Sequence, residues 1–377
     1  MYYDRPKKRR KNPESTPPAR KKRTGGVAVS KKPPVRDGKK TPVRKGTKPQ
    51  PPRAKAKKPA PRKSSHPLLR FVCFLLILLL LIPASLYFLP QRFFNHRSPA
   101  SYGAGLSVPE GYTHVLLVGL DKNDTASSRS DTMVILSVGK ERVCLTSLMR
   151  DTGVTIPGKS GIHRLNAAYS YGGAELLLKT INKNFGLDLT SYVAVDYESF
   201  PPLIDILGGV DIEGISQAEV TEINHNVYDV LRRRYDAGQY TLEEATELYN
   251  AETLSSGGDL HLDGLQALGY ARIRKTDSDY GRTNRQRKVL TAAMGSLKKS
   301  VTNPVRLIKL IKTGLSSIRT NMSRTELFSL GIKAIFTNEV AQHRLPADGT
   351  FKDGGSMFED VDYKANYRKF LEYVYGK

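Results

Sequence analysis

Residues 71–90 read FVCFLLILLLLIPASLYFLP, with no charged side chain in the run. A helix needs about 20 apolar residues to cross the hydrocarbon core of a bilayer. The stretch therefore predicts one transmembrane helix, placed at 68–90, and Pro83 would kink such a helix rather than forbid it. A cleaved signal peptide does not fit, because the roughly seventy residues ahead of the run are far too long for a basic n-region. Every other part of the chain must lie on one side of this segment or the other.

Charge decides which side. The 377 residues carry a formal net charge of +24, a figure that by itself suggests a nucleic-acid binder. Residues 1–66, however, hold 24 of the 60 lysines and arginines against only Asp4, Glu14 and Asp37, so the rest of the chain carries just +3. The same tail holds 12 of the 22 prolines and few large apolar side chains. It cannot bury enough surface to offset the entropy of ordering, and it is predicted to be disordered. Basic residues ahead of the span keep the tail in the cytoplasm and send the remainder outside. The expected layout is a basic tail (1–66), the span, a short stalk (91–110) and an extracellular domain (111–377). The tail acts as a topology signal or is drawn to anionic lipid heads, and no nucleic-acid partner is expected. Cys73 and Cys144 lie in the span and beyond it, so they cannot pair. A domain without disulfides agrees with a Gram-positive-type envelope, and no His/Cys spacing suggests zinc.

Within the domain, residues 113–121, 130–139 and 141–151 read as apolar strands, the last two joined by a tight turn at Gly139 and Lys140. An amphipathic helix at 166–182, a strand at 192–196 and a helix at 200–207 follow. Prolines are tolerated in the first turn of that last helix. Gly208 and Gly209 end it, and 210–213 is extended again. From about 216 to 258 the composition turns acidic and polar, with helical stretches at 217–235 and 241–254, which reads as a surface insertion. Helices at 284–300, 304–318 and 324–337, a strand at 342–346 and a helix at 362–375 complete the chain. Interleaved strands and helices predict an α/β class: a mixed, partly antiparallel central sheet flanked by helices in α/β/α layers.

Chemistry-bearing residues gather at strand ends. Asp121 closes the first strand, and Arg129 and Asp131 open the second, near loops where α/β sheets place ligands. Each aspartate alone fits turn chemistry. As a pair beside arginines they suit magnesium, which takes one or two carboxylates and completes its shell with water and phosphate. Arg150 sits at the analogous end of the third strand, where ligand contact is the better reading. His163 has no evident carboxylate partner and reads as structural, and Tyr169 and Tyr171 as packing residues. Between 261 and 290 the sequence reads helix, short strand, helix, with five arginines from Arg272 to Arg287. Arg272 and Arg274 alternate around Ile273, so in a strand both leave one face. Asp279 and Gly281 end that strand, and the next helix starts near Thr283. Arg282, Arg285 and Gln286 lie three or four residues apart, on one side of a helix start that already attracts anions. Guanidinium forks converging there suit several phosphate oxygens. A merely solvated arginine face would need neither pattern.

The stretches LLVGLD, RSDTMVILSV, LMRD, RLNAAYSYGG, YVAVDYESFPPLIDILGGVDI, HLDGLQALGYARIR and DYGRTNRQ, in this order, resemble the LytR-CpsA-Psr family over about 113–300. The tail and single span also resemble the family layout. The resemblance implies a phosphotransferase that moves a glycan polymer, such as teichoic acid or capsule, from a polyprenyl diphosphate carrier to peptidoglycan. Polyprenyl phosphate leaves and magnesium assists. Carried over by motif, Asp121 and Asp131 hold magnesium, while Arg129, Arg150, Arg272, Arg274, Arg282 and Gln286 bind the diphosphate, with Arg164 and Arg285 in the same charged set. Asp279 orients arginines or helps the acceptor lose its proton. Two positions depart from the pattern: Met149 stands where a proline is usual, and Arg164 where a lysine is commoner. A prenyl tail also needs an apolar slot. The 192–196 strand with Phe200, Leu203, Ile204 and Leu207 offers one, though plain core is the better reading for most of them. Two other functions stand beside this one. A diphosphate hydrolase would use the same pocket with water as acceptor, and a membrane-anchored transcription regulator would need basic surface on a cytoplasmic domain, which the +3 balance opposes.

Overall fold

The computed structural model describes residues 111–121, 129–274, 278–337 and 339–376. The expected tail, span and stalk lie outside the described residues. Among the residues described, no helix is long and apolar enough to cross a membrane. Along the chain, β1 (Thr113–Leu120), β2 (Ser130–Val138) and β3 (Arg142–Leu148) precede the short pair β4 (Gly153–Val154) and β5 (His163–Arg164). Then come α1 (Ala167–Phe185), β6 (Tyr192–Asp196), α2 (Phe200–Leu207), β7 (Val210–Ile215), α3 (Gln217–Asp236), α4 (Leu242–Glu252) and β8 (Gly258–Leu262). The remainder is α5 (Gly264–Ala271), α6 (Asp279–Ser300), α7 (Pro304–Ser317), β9 (Ile318–Thr320), α8 (Arg324–Phe336), β10 (Glu339–Leu345), the pair β11 (Lys352–Asp353) and β12 (Phe358–Glu359), and α9 (Tyr363–Tyr375).

The central sheet has the order β10-β3-β2-β1-β6-β9. The β1–β2, β2–β3 and β6–β9 pairs are antiparallel, and β1–β6 and β3–β10 are parallel, so the sheet is mixed as the sequence predicts. Its two faces divide the strand residues by parity. Leu116, Val118, Met133 and Ile135 pack with α1 and α9, through Leu177, Phe185 and Phe370. Val115, Val134, Leu136 and Leu145 pack on the other face with Leu330 and Ala334 of α8. Burying each of the large aliphatic side chains contributes roughly 1.5–3 kcal/mol, which fixes the register because a one-residue slip would turn every one of them to the wrong face.

A second core lies beside the sheet. It joins Ile204 of α2, Val210 and Ile212 of β7, Leu262 of β8, Tyr270 of α5 and Val289 of α6 to one face of α3. On α3 that face is Val220, Ile223, Val227 and Leu231, spaced three or four apart and 0–2% exposed. The start of the 216–258 segment is therefore core, not the surface layer its polar composition suggests. The polar residues occupy the rest of α3 and the more exposed α4.

Two further departures bear on the site. The capping box of Asp263 and Gln266 starts α5, which stays helical through Ala271. Arg272 is its C-cap, and the N–H groups of Arg272 and Ile273 donate back to the carbonyls of Gly269 and Tyr270 at 3.2 and 3.3 Å. The expected strand at 270–274 is thus the end of a helix and a turn. Likewise α6 begins at Asp279, not near Thr283, which brings Asp279 and Arg282 into its first turn.

Candidate active site

A cavity of about 340 Å³ opens at the C-terminal ends of the parallel strands β1 and β6, beneath α2, α5 and the start of α6. Its inner wall is apolar, with Leu117, Val193, Val195, Phe200, Leu203 and Leu290. Its other end is charged, with Asp121, Asp131, Arg272, Arg274, Arg282 and Gln286. The helix α2 that supplies Phe200 and Leu203 starts with prolines and stops at Gly208, whose left-handed backbone (φ 86°) favours glycine.

The acids are aimed by a break in the sheet. Gly119 pairs with Thr132 and Leu120 with Ser130, so Asp131 is the extra residue of a β-bulge. Bulges redirect one side chain and leave it unpaired in the ladder. Asp121 lies across from it. Its Oδ1 accepts from the Arg129 N–H at 3.0 Å, and its own N–H donates to the Arg129 carbonyl at 3.3 Å. Arg129 therefore fixes Asp121 through its backbone and does not line the cavity.

An ion network runs across the charged end. The Arg274 Nη2 donates to Asp131 Oδ2 at 3.0 Å, and Arg150 Nη1 to Asp131 Oδ1 at 3.2 Å. Arg150 also reaches Asp279 at 3.4 Å and Asp151 at 3.2 Å, and Arg282 Nη2 pairs with Asp279 at 2.8 Å. Arg164 joins from outside, 3.4 Å from Asp151 and 46% exposed. Four arginines against three aspartates leave positive charge in excess. Burial opposes the charge on Arg150, but Asp279, Asp151 and Asp131 outweigh it and hold the guanidinium above its ordinary value. For Arg282, only 2% exposed, burial outweighs Asp279 and pulls it down to about 10. It is still a cation at neutral pH.

These arginines keep donors in reserve. Arg282 Nε and Nη1 and Arg272 Nη1 are buried with no partner among the described residues. Burial lowers Arg272 as well, and Arg233 and Arg274 add to the effect, while its guanidinium lies 5.7 Å from the Tyr197 ring. Buried donors without partners are costly, and an anion with several oxygens would satisfy them together.

Arg285 takes no part in this. It is buried toward α3, where Nη1 meets Glu219 at 3.2 Å and Nη2 donates to the Ile273 carbonyl at 3.3 Å. The expected grouping of Arg282, Arg285 and Gln286 on one face is therefore split, because the cavity takes Arg282 and Gln286 while Arg285 turns to the flank. His163 bonds the Ser160 carbonyl at 2.8 Å and stands edge-on to Tyr171, as a structural residue would. Tyr169 is core, but Tyr171 is 48% exposed. Leu207 is not part of the lining, whereas Phe200, Leu203 and Ile204 are. The sequence reading missed Asp151 and Tyr197 as site residues. The adjacent Arg150-Asp151 pair carried a signal for the first, and an aromatic just past a strand end for the second.

The model of the LytR_cpsA_psr family matches residues 98–369. The chain belongs to this family. Among its relatives, the polyisoprenyl-teichoic acid–peptidoglycan teichoic acid transferase TagU of Oceanobacillus iheyensis is 35% identical over 191 residues, 48% of this chain and 50% of that protein. The TagU of Enterococcus faecalis is 31% identical over 259 residues, 66% of this chain and 74% of the relative. The match thus spans half the length of the first relative and about three quarters of the second. A solved structure of the LytR-CPS2A-psr family protein YwtF (TagT), with bound octaprenyl pyrophosphate lipid, shares the fold. Its TM-score is 0.52 at 19% identity, over 74% of this chain and 98% of that one.

Proposed function

We propose that this domain transfers a glycan polymer from a polyprenyl diphosphate carrier to a hydroxyl of peptidoglycan. The observation that carries the reading is a single cavity with apolar walls at one end and, at the other, buried guanidinium donors that have no partner among the described residues. A lipid diphosphate has the same two-part chemistry, and the relatives' names supply the glycan and the acceptor. The prenyl chain lies against Leu117, Val193 and Leu203. The diphosphate oxygens take the open donors of Arg272 and Arg282, with Arg274 and Gln286 beside them. In the transfer the acceptor hydroxyl oxygen bonds to the phosphorus that carries the glycan and gives up its proton to solvent, the bridging P–O bond breaks, and polyprenyl phosphate leaves with the negative charge. Such displacements depend mainly on positioning and on neutralising charge. Both Asp279 oxygens face arginines, which favours its role as the group that orients Arg150 and Arg282.

Magnesium fits the donor set. Asp121 and Asp131 line the same cavity, and two carboxylates are a usual protein contribution to this ion. Bound there, it would supply Lewis-acid stabilisation of phosphate charge. Asp131 would then share its oxygens with Arg150 and Arg274. The same reading keeps the 68–90 segment as a membrane span, the basic tail in the cytoplasm and this domain outside, close to both lipid carrier and wall. The test is transfer of a labelled polyprenyl-diphosphate glycan to peptidoglycan by the purified domain, with products identified by mass spectrometry. Glycan phosphate on the wall polymer is expected. Free glycan phosphate alone would mark a hydrolase, and no turnover would overturn both.

A further inference from the structure

Arg285 and Glu219 lie outside the cavity, yet they grip the segment that carries two of its arginines. We infer that this ion pair is a positioning device for Arg272 and Arg274, an inference that rests on the donor reading above. Arg285 uses one nitrogen for Glu219 Oε1, at 3.2 Å, and another for the Ile273 carbonyl, at 3.3 Å. The pair is nearly closed to solvent, 5% exposed on Arg285 and 17% on Glu219. The carbonyl it holds lies between the two arginines in sequence. Beside it the Gln286 side-chain amide approaches the Ala271 carbonyl at 3.5 Å, and Asn226 of α3 donates to the Gly269 carbonyl at 2.9 Å. Ile273 itself is fully buried in the second core. The turn after α5 is thus fastened from below at its carbonyls, and Arg272 and Arg274 stand into the cavity on either side of the fastening.

Glu219 serves two structures at once. Its Oε2 accepts from the Ser216 N–H at 2.9 Å and the Ser216 hydroxyl at 3.0 Å, the reciprocal half of the capping box that starts α3. Its Oε1 faces Arg285. This gives the 216–258 segment a role in the site, because the first turn of α3 braces the arginine turn. The turn's own bonds, at 3.2 and 3.3 Å, run only locally back to α5, and the Arg285–Glu219 pair adds a charged contact that ties it to both α6 and α3.

The two duties of Glu219 separate by mutation. A capping box accepts Gln in place of Glu, so Glu219→Gln keeps the cap and removes the charge facing Arg285. Ser216→Ala removes the cap and keeps that charge. Arg285→Lys keeps a cation but replaces the fixed fork that holds both partners by one shorter-reaching head. The readouts are octaprenyl diphosphate affinity in detergent micelles and amide hydrogen exchange of the 268–274 peptide. Glu219→Gln and Arg285→Lys are expected to speed exchange at Arg272 and Ile273 several-fold and weaken the lipid about tenfold. Ser216→Ala should lower the melting temperature and leave both readouts unchanged. Unchanged exchange in the first two variants overturns the inference whether or not the wild type binds the lipid. Faster exchange with undiminished affinity overturns it as well. A wild type that does not bind the lipid, with exchange faster in the variants, sinks the donor reading and leaves the brace standing.

Discussion

The two ends of the cavity are built by different means. The apolar end takes its side chains from regular elements: Leu117 from β1, Val193 and Val195 from β6, and Leu203 from α2. Their positions follow from strand and helix periodicity, and Leu117 and Val193 are backed by the core under α8. The charged end takes its groups from interruptions: a bulge at Asp131, the turn after α5, and the first turn of α6. Those groups are held by one another, through shared carboxylates, and by remote braces. A shape-tolerant wall suits a lipid chain of repeating units, whereas a diphosphate needs donors at fixed points. If this contrast is right, point changes at the charged end should be severe in proportion to burial, and they should fade along the network toward solvent.

The largest effect is expected at Arg282. It combines near-complete burial with two nitrogens that have no partner among the described residues, and hydrogen bonds to charged groups contribute roughly 1.5–3 kcal/mol each. Losing two should lower transfer by about two to four powers of ten. Since removing a buried residue can also unfold a domain, Arg282→Lys is measured beside Arg282→Ala, with thermal melting as the control. A stable Arg282→Ala variant that transfers like wild type would remove the anion from this end of the cavity.

Arg272 and Arg274 come next, at about one to two powers of ten each, with Arg→Lys recovering part of the loss. The buried Arg272 should exceed Arg274, which is 54% exposed and already spends a nitrogen on Asp131. Equal or reversed losses would show that burial does not rank these groups.

This ranking was only partly legible beforehand. The strand at 192–196 and the helix at 200–207 were readable to the residue, because the strand's apolar run stops at Asp196 and the helix lies between prolines in its first turn and Gly208. That Arg272 and Arg274 would face one way was readable too, and both line the cavity, but for a reason the structure replaces: alternation around a buried Ile273 holds equally in a strand and in a turn that follows a helix. Residues 282, 285 and 286 show where spacing stops being informative. At 3.6 residues per turn, Arg285 lies about 60° to one side of Arg282 and Gln286 about 40° to the other. Only the tertiary position of α3 decides which flank meets the cavity. Glu219, 66 positions before Arg285, left no local signal at all.

A smaller effect, about tenfold in the magnesium concentration needed for half-maximal transfer, is expected for Asp131→Asn. The variant also loosens Arg150 and Arg274, so lipid diphosphate binding is compared with and without EDTA. A metal role leaves binding in EDTA near that of wild type while the magnesium requirement rises. If binding in EDTA falls as far as transfer does, Asp131 serves to hold arginines and the ion lies elsewhere.

The smallest effect belongs to Arg164, at the solvent end of the network. By motif it counts with the diphosphate ligands, and as such its loss should reach tenfold or more. The structure puts it on the far side of Asp151, at 3.4 Å and 46% exposed, away from the cavity lining. An exposed pair of this kind contributes about 0.2–1 kcal/mol and weakens with salt. Arg150 keeps its contacts to Asp131 and Asp279 without it. Arg164→Gln is therefore expected to slow transfer by no more than about twofold to fivefold, with the difference shrinking as salt screens the pair. Lipid diphosphate affinity and transfer rate, each measured at low and high ionic strength, decide the matter. A salt-insensitive tenfold loss of affinity would bring Arg164 into the binding set and break the gradient from buried to exposed on which the comparison rests.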